Sequence, residues 1–383
     1  MREREQILDL WQQLKSSDEQ AVLCTVVKTL GSSYRRPGAR LLLTAEGRRA
    51  GSVSGGCLED DLIKKAFWLT EKGPSIRRYD TTPEGDIKED AGPSTSSGFG
   101  MGCNGIVHVY LERVSAVFPA TLHLLEQARQ TRRAASVAHL LQPLDTIGQR
   151  LMVDCNGLVT HNLRDPALAQ HLLEQQSSLP EINRVERLSS AHEVFFETLA
   201  PPVRLLIFGA GDDAIPLTEL ARQLGWHIAV FDGRAHYARH EKFPSAHEVI
   251  VRSSSESAAS LTIDPWTVAV TMTHSYAQDL NNLRSLCAQP LAYLGVLGPR
   301  NRTVEMISEA GLDPSLLQNV HSPMGLDIGA DGPEQVALSV LAEIQATLNH
   351  RAGGSLRARA GSIHSRSLDG SSPSPCTPSI VCA

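Results

Sequence analysis

The feature that most constrains this chain is a strand–turn–helix–strand–acid series in its second half. Residues 203–208 are apolar and of strand length, and Gly209-Ala210-Gly211-Asp212-Asp213-Ala214 follows in the form G-x-G-x-x-A. A helical pattern runs on to about Leu224, residues 227–231 make a second apolar strand, and Asp232 closes it. In this order the first glycine permits a tight turn and the second lets backbone approach a pyrophosphate. The helix start adds N–H donors and partial positive charge. The acid falls about 20 residues past the glycines, where a dinucleotide-binding strand carries its ribose-binding carboxylate. Residues 248–251, 267–273 and 292–297 supply three further strands. An α/β architecture is therefore expected, with residues 201–350 as a Rossmann-like, doubly wound parallel sheet.

Doubly wound order sets the fourth strand beside the first. Thr273-His274-Ser275 would then face the Gly209 turn across the crevice, which makes His274 a candidate binding residue; a solvated loop histidine is the alternative. Gly298-Pro299-Arg300-Asn301 leaves the fifth strand in the same direction. Arg300 carries a fork that matches a phosphate, or else makes a surface ion pair. Gly209, Gly211, Asp232, His274 and Arg300 together suit NAD or another dinucleotide, and Asp232 favours NAD over NADP.

With 383 residues and 42% hydrophobic content, the chain has material for two or three cores. The net charge of −6 disfavours a nucleic-acid partner. No apolar run reaches the roughly 18 residues of a membrane span, and the mixed charges at the start do not read as a signal peptide. A cytoplasmic protein is the expectation. Residues 1–112 are expected to form a separate N-terminal α/β domain: a helix over 2–14, a strand over 21–29, a hairpin over 39–53, a helix over 57–71, and strands at 76–79 and 106–111. Residues 113–200 read as a connecting segment with a helix, a hairpin (135–141 against 150–154) and shorter fragments. Residues 351–383, rich in Ser, Arg, Pro and Gly, read as a disordered tail. No internal repeat is apparent.

The 7 cysteines form no CxxC pair, so neither a zinc site nor a dithiol motif is indicated. Two of them sit in glycine-rich loops. Ser54-Gly55-Gly56-Cys57-Leu58-Glu59 places Cys57 at a helix N-terminus, a position that favours thiolate, a soft donor suited to sulfur-rich metal centres. The acids of that first turn oppose the effect. Gly100-Met101-Gly102-Cys103-Asn104-Gly105 presents Cys103 before a strand. For both, an inert cysteine in a tight turn is the rival reading. The basic turn at 31–36 would suit an anion or simply solvent.

These blocks, taken in order, resemble the xanthine dehydrogenase accessory proteins, the XdhC/CoxF family. The resemblance rests on Gly31-Ser32-Ser33, Arg36-Pro37-Gly38-Ala39, Ser54-Gly55-Gly56-Cys57-Leu58-Glu59 and Gly100-Met101-Gly102-Cys103 in the first half. In the second half it rests on Phe208-Gly209-Ala210-Gly211, Met272-Thr273-His274, residues 294–300 and residues 323–330. It implies an accessory protein, not itself catalytic, that binds molybdenum cofactor, assists its sulfuration and inserts it into a xanthine or carbon monoxide dehydrogenase-type hydroxylase. The apo-hydroxylase and a cysteine desulfurase are the implied partners, and a homodimer is a further one. Cys57 becomes the leading cofactor and metal contact, with Gly55, Gly56 and Cys103 beside it. Asn104 departs from the family pattern, which ranks Cys103 below Cys57. An NAD-dependent oxidoreductase with His274 as proton donor, and a non-catalytic nucleotide sensor, are the alternatives.

Overall fold

The computed structural model describes residues 2–31, 33–80, 105–114, 120–177, 183–188, 192–253, 256 and 261–358. They fall into two compact units, one spanning Glu3–Pro201 and one built from Pro202 onward. None of the described helices is long and apolar enough to cross a membrane.

The second unit is the expected doubly wound sheet. Strands β11 (Arg204–Phe208), β12 (His227–Asp232), β13 (Glu248–Val251), β14 (Thr267–Thr271), β15 (Tyr293–Val296) and β16 (Val320–His321) lie in the order β13-β12-β11-β14-β15-β16, all parallel. Alternation along each strand sends side chains to opposite faces. Leu205, Ile207, Val268 and Val270 meet α5 (Ala214–Gln223) and α8 (Pro333–Leu348) on one side. Leu206, Phe208, Ala269 and Val296 meet α6 (Tyr276–Leu286) and α7 (Arg300–Glu309) on the other. The order of strand addition reverses between β11 and β14, the switch point at whose carboxyl ends such sheets form a crevice.

The first unit holds two antiparallel five-stranded sheets. One runs from α1 (Arg2–Leu14) through β1 (Ala21–Gly31), β2 (Arg40–Thr44), β3 (Arg49–Gly51), α2 (Cys57–Leu69) and β4 (Ser75–Asp80) to β5 (Gly105–Val114). The other runs from α3 (Ala120–Thr131) through β6 (Ala135–Gln142), β7 (Arg150–Val153), β8 (Val159–His161), α4 (Pro166–Ser177) and β9 (Arg184–Arg187) to β10 (Glu193–Leu199). The sheet orders, β3-β2-β1-β5-β4 and β8-β7-β6-β10-β9, correspond strand for strand. So do the registers: Thr25 faces Arg40 and Tyr110 as His139 faces Arg150 and Phe195. Residues 7–27 run in step with 121–141, and 40–67 with 150–177, without a gap.

The expectation of no repeat is thus corrected: this unit is one α-β-β-β-α-β-β motif built twice. The stretch 113–200, read as connecting, carries the second copy. The sequence hides it because the match lies in burial and register rather than identity, with Leu8, Leu10, Trp11 and Leu14 of α1 answered by Leu122, Leu124, Leu125 and Ala128 of α3. Those helices share one core with Leu23 and Val137. Across the seam Val27 and Tyr110 pack on Leu141 and Phe195. Two ion pairs repeat the same symmetry, Arg40 with Glu197 and Arg150 with Glu112 at 2.6 Å.

Candidate functional site

The Cys57 turn belongs to the first copy. β3 ends at Gly51, a short turn crosses Ser52–Gly56, and Cys57 is the first residue of α2. Gly56 is the N-cap at φ +116°, a conformation that L side chains rarely adopt. Gly55 and Gly56 are exposed, and a Cβ on either would meet open space. Packing therefore does not demand these glycines. They leave room in front of the helix end.

Glu59, buried at 5% exposure, holds this turn from beneath. Its Oε1 accepts from the Ser52 hydroxyl at 3.0 Å and from the N–H groups of Val53 and Ser54 at 3.0 and 2.8 Å. Its Oε2 accepts from the Gly56 N–H at 3.0 Å and from the Ser54 hydroxyl. The Ser54 oxygen in turn accepts from the N–H groups of Gly56 and Leu58. Burial works to raise the Glu59 pKa, but the Ser54 hydroxyl and the surrounding N–H groups outweigh it and leave it below the ordinary glutamate value. An ionised carboxylate thus sits under the turn. Sequence reasoning placed Glu59 only as an acid of the first turn; the S-x-S-x-x-x-x-E spacing that lets it reach back was the available signal. Cys103 lies outside the described residues. Cys24 and Cys155 are buried, and burial raises both thiol pKa values, so these two serve the core.

In the second unit the Gly209 turn has the geometry its sequence requires. Gly209 stands at φ +123°, where a Cβ would come within 2.4 Å of the Met272 carbonyl. His274 reaches across from the end of β14 as expected, with Nε2 2.7 Å from Asp213 Oδ2. Its own backbone is left-handed, φ 58°. The buried Asp279 fixes that segment by accepting from the hydroxyls of Thr271 and Thr273 and from the Thr273 N–H, while Arg302 closes the cluster at 2.7 Å. A cavity of about 200 Å³ lies here, lined by His274, Asp279, Leu297, Gly298 and Arg302. Arg300 is exposed in the first turn of α7 and lines no part of it; the arginine that does is Arg302, two residues on.

Asp232, expected to hold a ribose, is engaged within the chain. Its side chain is inaccessible, and Oδ1 accepts from the Arg234 N–H and Nε, both at 2.9 Å. Oδ2 accepts from the Ala210 N–H at 2.9 Å and from Arg234 Nη2 at 2.8 Å. A carboxylate has about four acceptor positions, and all are filled from within the chain. At the turn itself, Lys242 Nζ bridges the Ala210 carbonyl and Asp212 Oδ1, each at 2.8 Å. Asp212 and Asp213 place two carboxylates at the helix start where a pyrophosphate needs positive potential. These residues do not fit NAD. Sequence reasoning missed Asp213, Arg234, Lys242, Asp279 and Arg302, although the Asp-Asp pair inside the glycine motif already pointed to a neutralised helix start. Among the described residues no cluster of three or more His, Cys, Asp or Glu is placed to hold a metal ion.

Comparison with known proteins agrees with both units. Residues 14–80 match the XdhC and CoxI family and residues 205–344 match the XdhC Rossmann domain. A Bacillus subtilis protein named as a probable xanthine dehydrogenase subunit is 33% identical over 86% of this chain and 94% of its own length. The Escherichia coli molybdenum cofactor insertion chaperone PaoD is 27% identical over 88% of this chain and 86% of its own length. A crystal structure described as a xanthine dehydrogenase from Bacillus halodurans is similar at a TM-score of 0.72 and 28% identity, over 90% of this chain and 96% of that one. With both family segments present in order and a relative one-third identical along nearly its whole length, the chain belongs to the XdhC and CoxI family.

Proposed function

We propose that this protein carries molybdenum cofactor and assists its insertion into a xanthine or carbon monoxide dehydrogenase-type hydroxylase, with Cys57 as the contact to the cargo. The observation that carries this reading is the Glu59-held Ser52–Gly56 turn, open in front and ending in a cysteine at a helix N-terminus, in a chain similar to a molybdenum cofactor insertion chaperone. Cargo of this kind offers a soft, sulfur-rich metal centre, and a thiolate is the matching protein donor. Gly55 and Gly56 admit a bulky ligand to the helix end. Assistance to sulfuration, with a cysteine desulfurase as donor and the apo-hydroxylase as acceptor, completes the reading. Cys103 remains a further candidate contact, and His274 with the Gly209 turn remains a separate candidate binding site in the second unit.

The oxidoreductase and nucleotide-sensor readings are less well supported, because the acceptors of Asp232 are filled and two further carboxylates stand at the phosphate position. The deciding experiment is expression in a host that makes molybdenum cofactor, anaerobic purification, and assay of bound pterin and molybdenum beside Cys57→Ala. Pterin on the wild type and little on the variant is the expected result. No pterin on either, with NAD binding by calorimetry, would move the assignment to the nucleotide readings.

A further inference from the structure

The duplication supplies an internal control for the Cys57 turn. The same helix start is built a second time at α4, and the run of 40–67 against 150–177 sets Gly55, Gly56, Cys57 and Glu59 against Asp165, Pro166, Ala167 and Ala169. The cores correspond as well, since Leu62 and Leu172 are both fully buried under their sheets. At α4 the solution is an ordinary one. Asp165 Oδ1 accepts the Ala167 N–H at 2.9 Å, and Pro166 opens the helix, where a missing N–H costs nothing.

The contrast is sharpest at position 59. Ala169 is 7% exposed and Glu59 5%, so the same buried spot holds a methyl group in one copy and an ionised carboxylate in the other. Burying a charge where a methyl group serves is unfavourable unless the charge is fully bonded. Glu59 is fully bonded, and every one of its partners lies in the turn that precedes Cys57. This motif therefore folds without the carboxylate, and the carboxylate acts on the turn alone.

We propose that Glu59 is the positioning residue of the Cys57 site, holding residues 52–56 in the conformation that receives the cargo, and that each chain carries one such site, in the first copy only. This inference rests on the cofactor-carrier reading above. Glu59→Gln keeps the shape but turns an N–H₂ toward the Gly56 N–H, while Ser54→Ala removes a hydroxyl from the same network. The matched control is Asp165→Ala, which removes a helix cap of ordinary strength from the second copy.

The test uses the full chain, loaded and purified anaerobically. Bound pterin per chain, urea stability and the alkylation rate of Cys57 (by peptide mass spectrometry) are measured for each variant. The wild type is expected to carry at most one pterin per chain. Glu59→Gln and Ser54→Ala are expected to retain about tenfold less, the scale of one charge-assisted hydrogen bond left unmade. Ser54→Thr restores retention, and Asp165→Ala leaves it unchanged despite a similar loss of stability.

Retention that follows stability equally in all variants would overturn the positioning role. Two pterins per chain would overturn the single site. If the wild type holds no pterin, the carrier reading fails, and alkylation alone decides the role of Glu59. A rate changed at least about threefold by Glu59→Gln and Ser54→Ala, but not by Asp165→Ala, keeps that role; an unchanged rate removes it. Should Glu59→Gln fail to fold, the Ser54 pair gives the same decision.

Discussion

Loss of the Glu197 charge should be the most damaging single change at the seam between the two copies. The Glu197 side chain is 2% exposed and its partner Arg40 5%. A second guanidinium, that of Arg4, lies close enough that burial first, and Arg40 next, lower its pKa to about 10, with Glu197 opposing. Glu197→Gln leaves the buried Arg40, with Arg4 beside it, without the carboxylate that balances them. Removing one partner of a buried pair costs about 3–5 kcal/mol. The symmetry-related change, Glu112→Gln, is the built-in comparison. Its pair with Arg150 is 12% and 11% exposed, so partial hydration of Arg150 should limit that cost to about 2 kcal/mol, between surface and buried values. Urea unfolding followed by circular dichroism measures both. The double change Arg40→Met with Glu197→Leu removes both charges and should lie within about 1 kcal/mol of wild type. A Glu197→Gln cost below that of Glu112→Gln, or below about 1 kcal/mol, would refute the view that burial sets the scale at this seam.

Gly209→Ala should destabilise the second unit by at least about 2 kcal/mol, since the new Cβ would meet the Met272 carbonyl at 2.4 Å and stand at positive φ; a shift of less than about 1 kcal/mol in urea would contradict the turn geometry. At position 274 the left-handed backbone makes His274→Val costlier than His274→Gly by about 1–2 kcal/mol, measurable as a difference in melting temperature; equal effects would place no strain there. Glu59 and Asp232 both have lowered carboxyl pKa values, so each contributes stability that is complete above its unfolded value and is lost as the pH falls through its folded one. Stability should therefore decline as the pH drops below about 4.5 for Glu59 and 3.8 for Asp232, and Glu59→Gln or Asp232→Asn should flatten that slope in urea titrations at pH 2.5–6. Calorimetry with NAD should give no binding above the millimolar range, where a micromolar constant would overturn the reading of Asp232.

The sheet of the second unit was legible because its strands are buried on both faces, which writes short apolar runs into the sequence, and because Gly209 and Gly211 punctuate the first crossover. The position of His274 followed from strand order alone. The fate of Asp232 did not, because a carboxylate at that position serves a ribose or its own backbone equally well, and only the placement of Arg234 and the Ala210 N–H decides between them. In the first unit β1, the β2–β3 hairpin and α2 were legible from periodicity and turn residues. The Glu59 network was not, since it closes over residues 52–59 through hydrogen bonds that carry no periodic signature. The second copy escaped notice for a further reason. Thr25 against His139, Trp11 against Leu125 and Glu59 against Ala169 share burial and register while differing in chemistry, and burial is invisible before the fold is known.

The paired ion contacts also bear on how such a site can arise. Arg40 reaches Glu197 as Arg150 reaches Glu112, each contact made twice with the roles exchanged, which is the pattern of an isologous interface between identical subunits. In a true homodimer every substitution appears in both halves, so a glycine turn opened for a ligand in one half is opened in the other as well. Joining the halves in one chain removes that constraint and makes their association independent of concentration. One half can then keep Gly55 and Gly56 exposed ahead of its helix while the other closes the same helix start with Asp165-Pro166 and serves as its support.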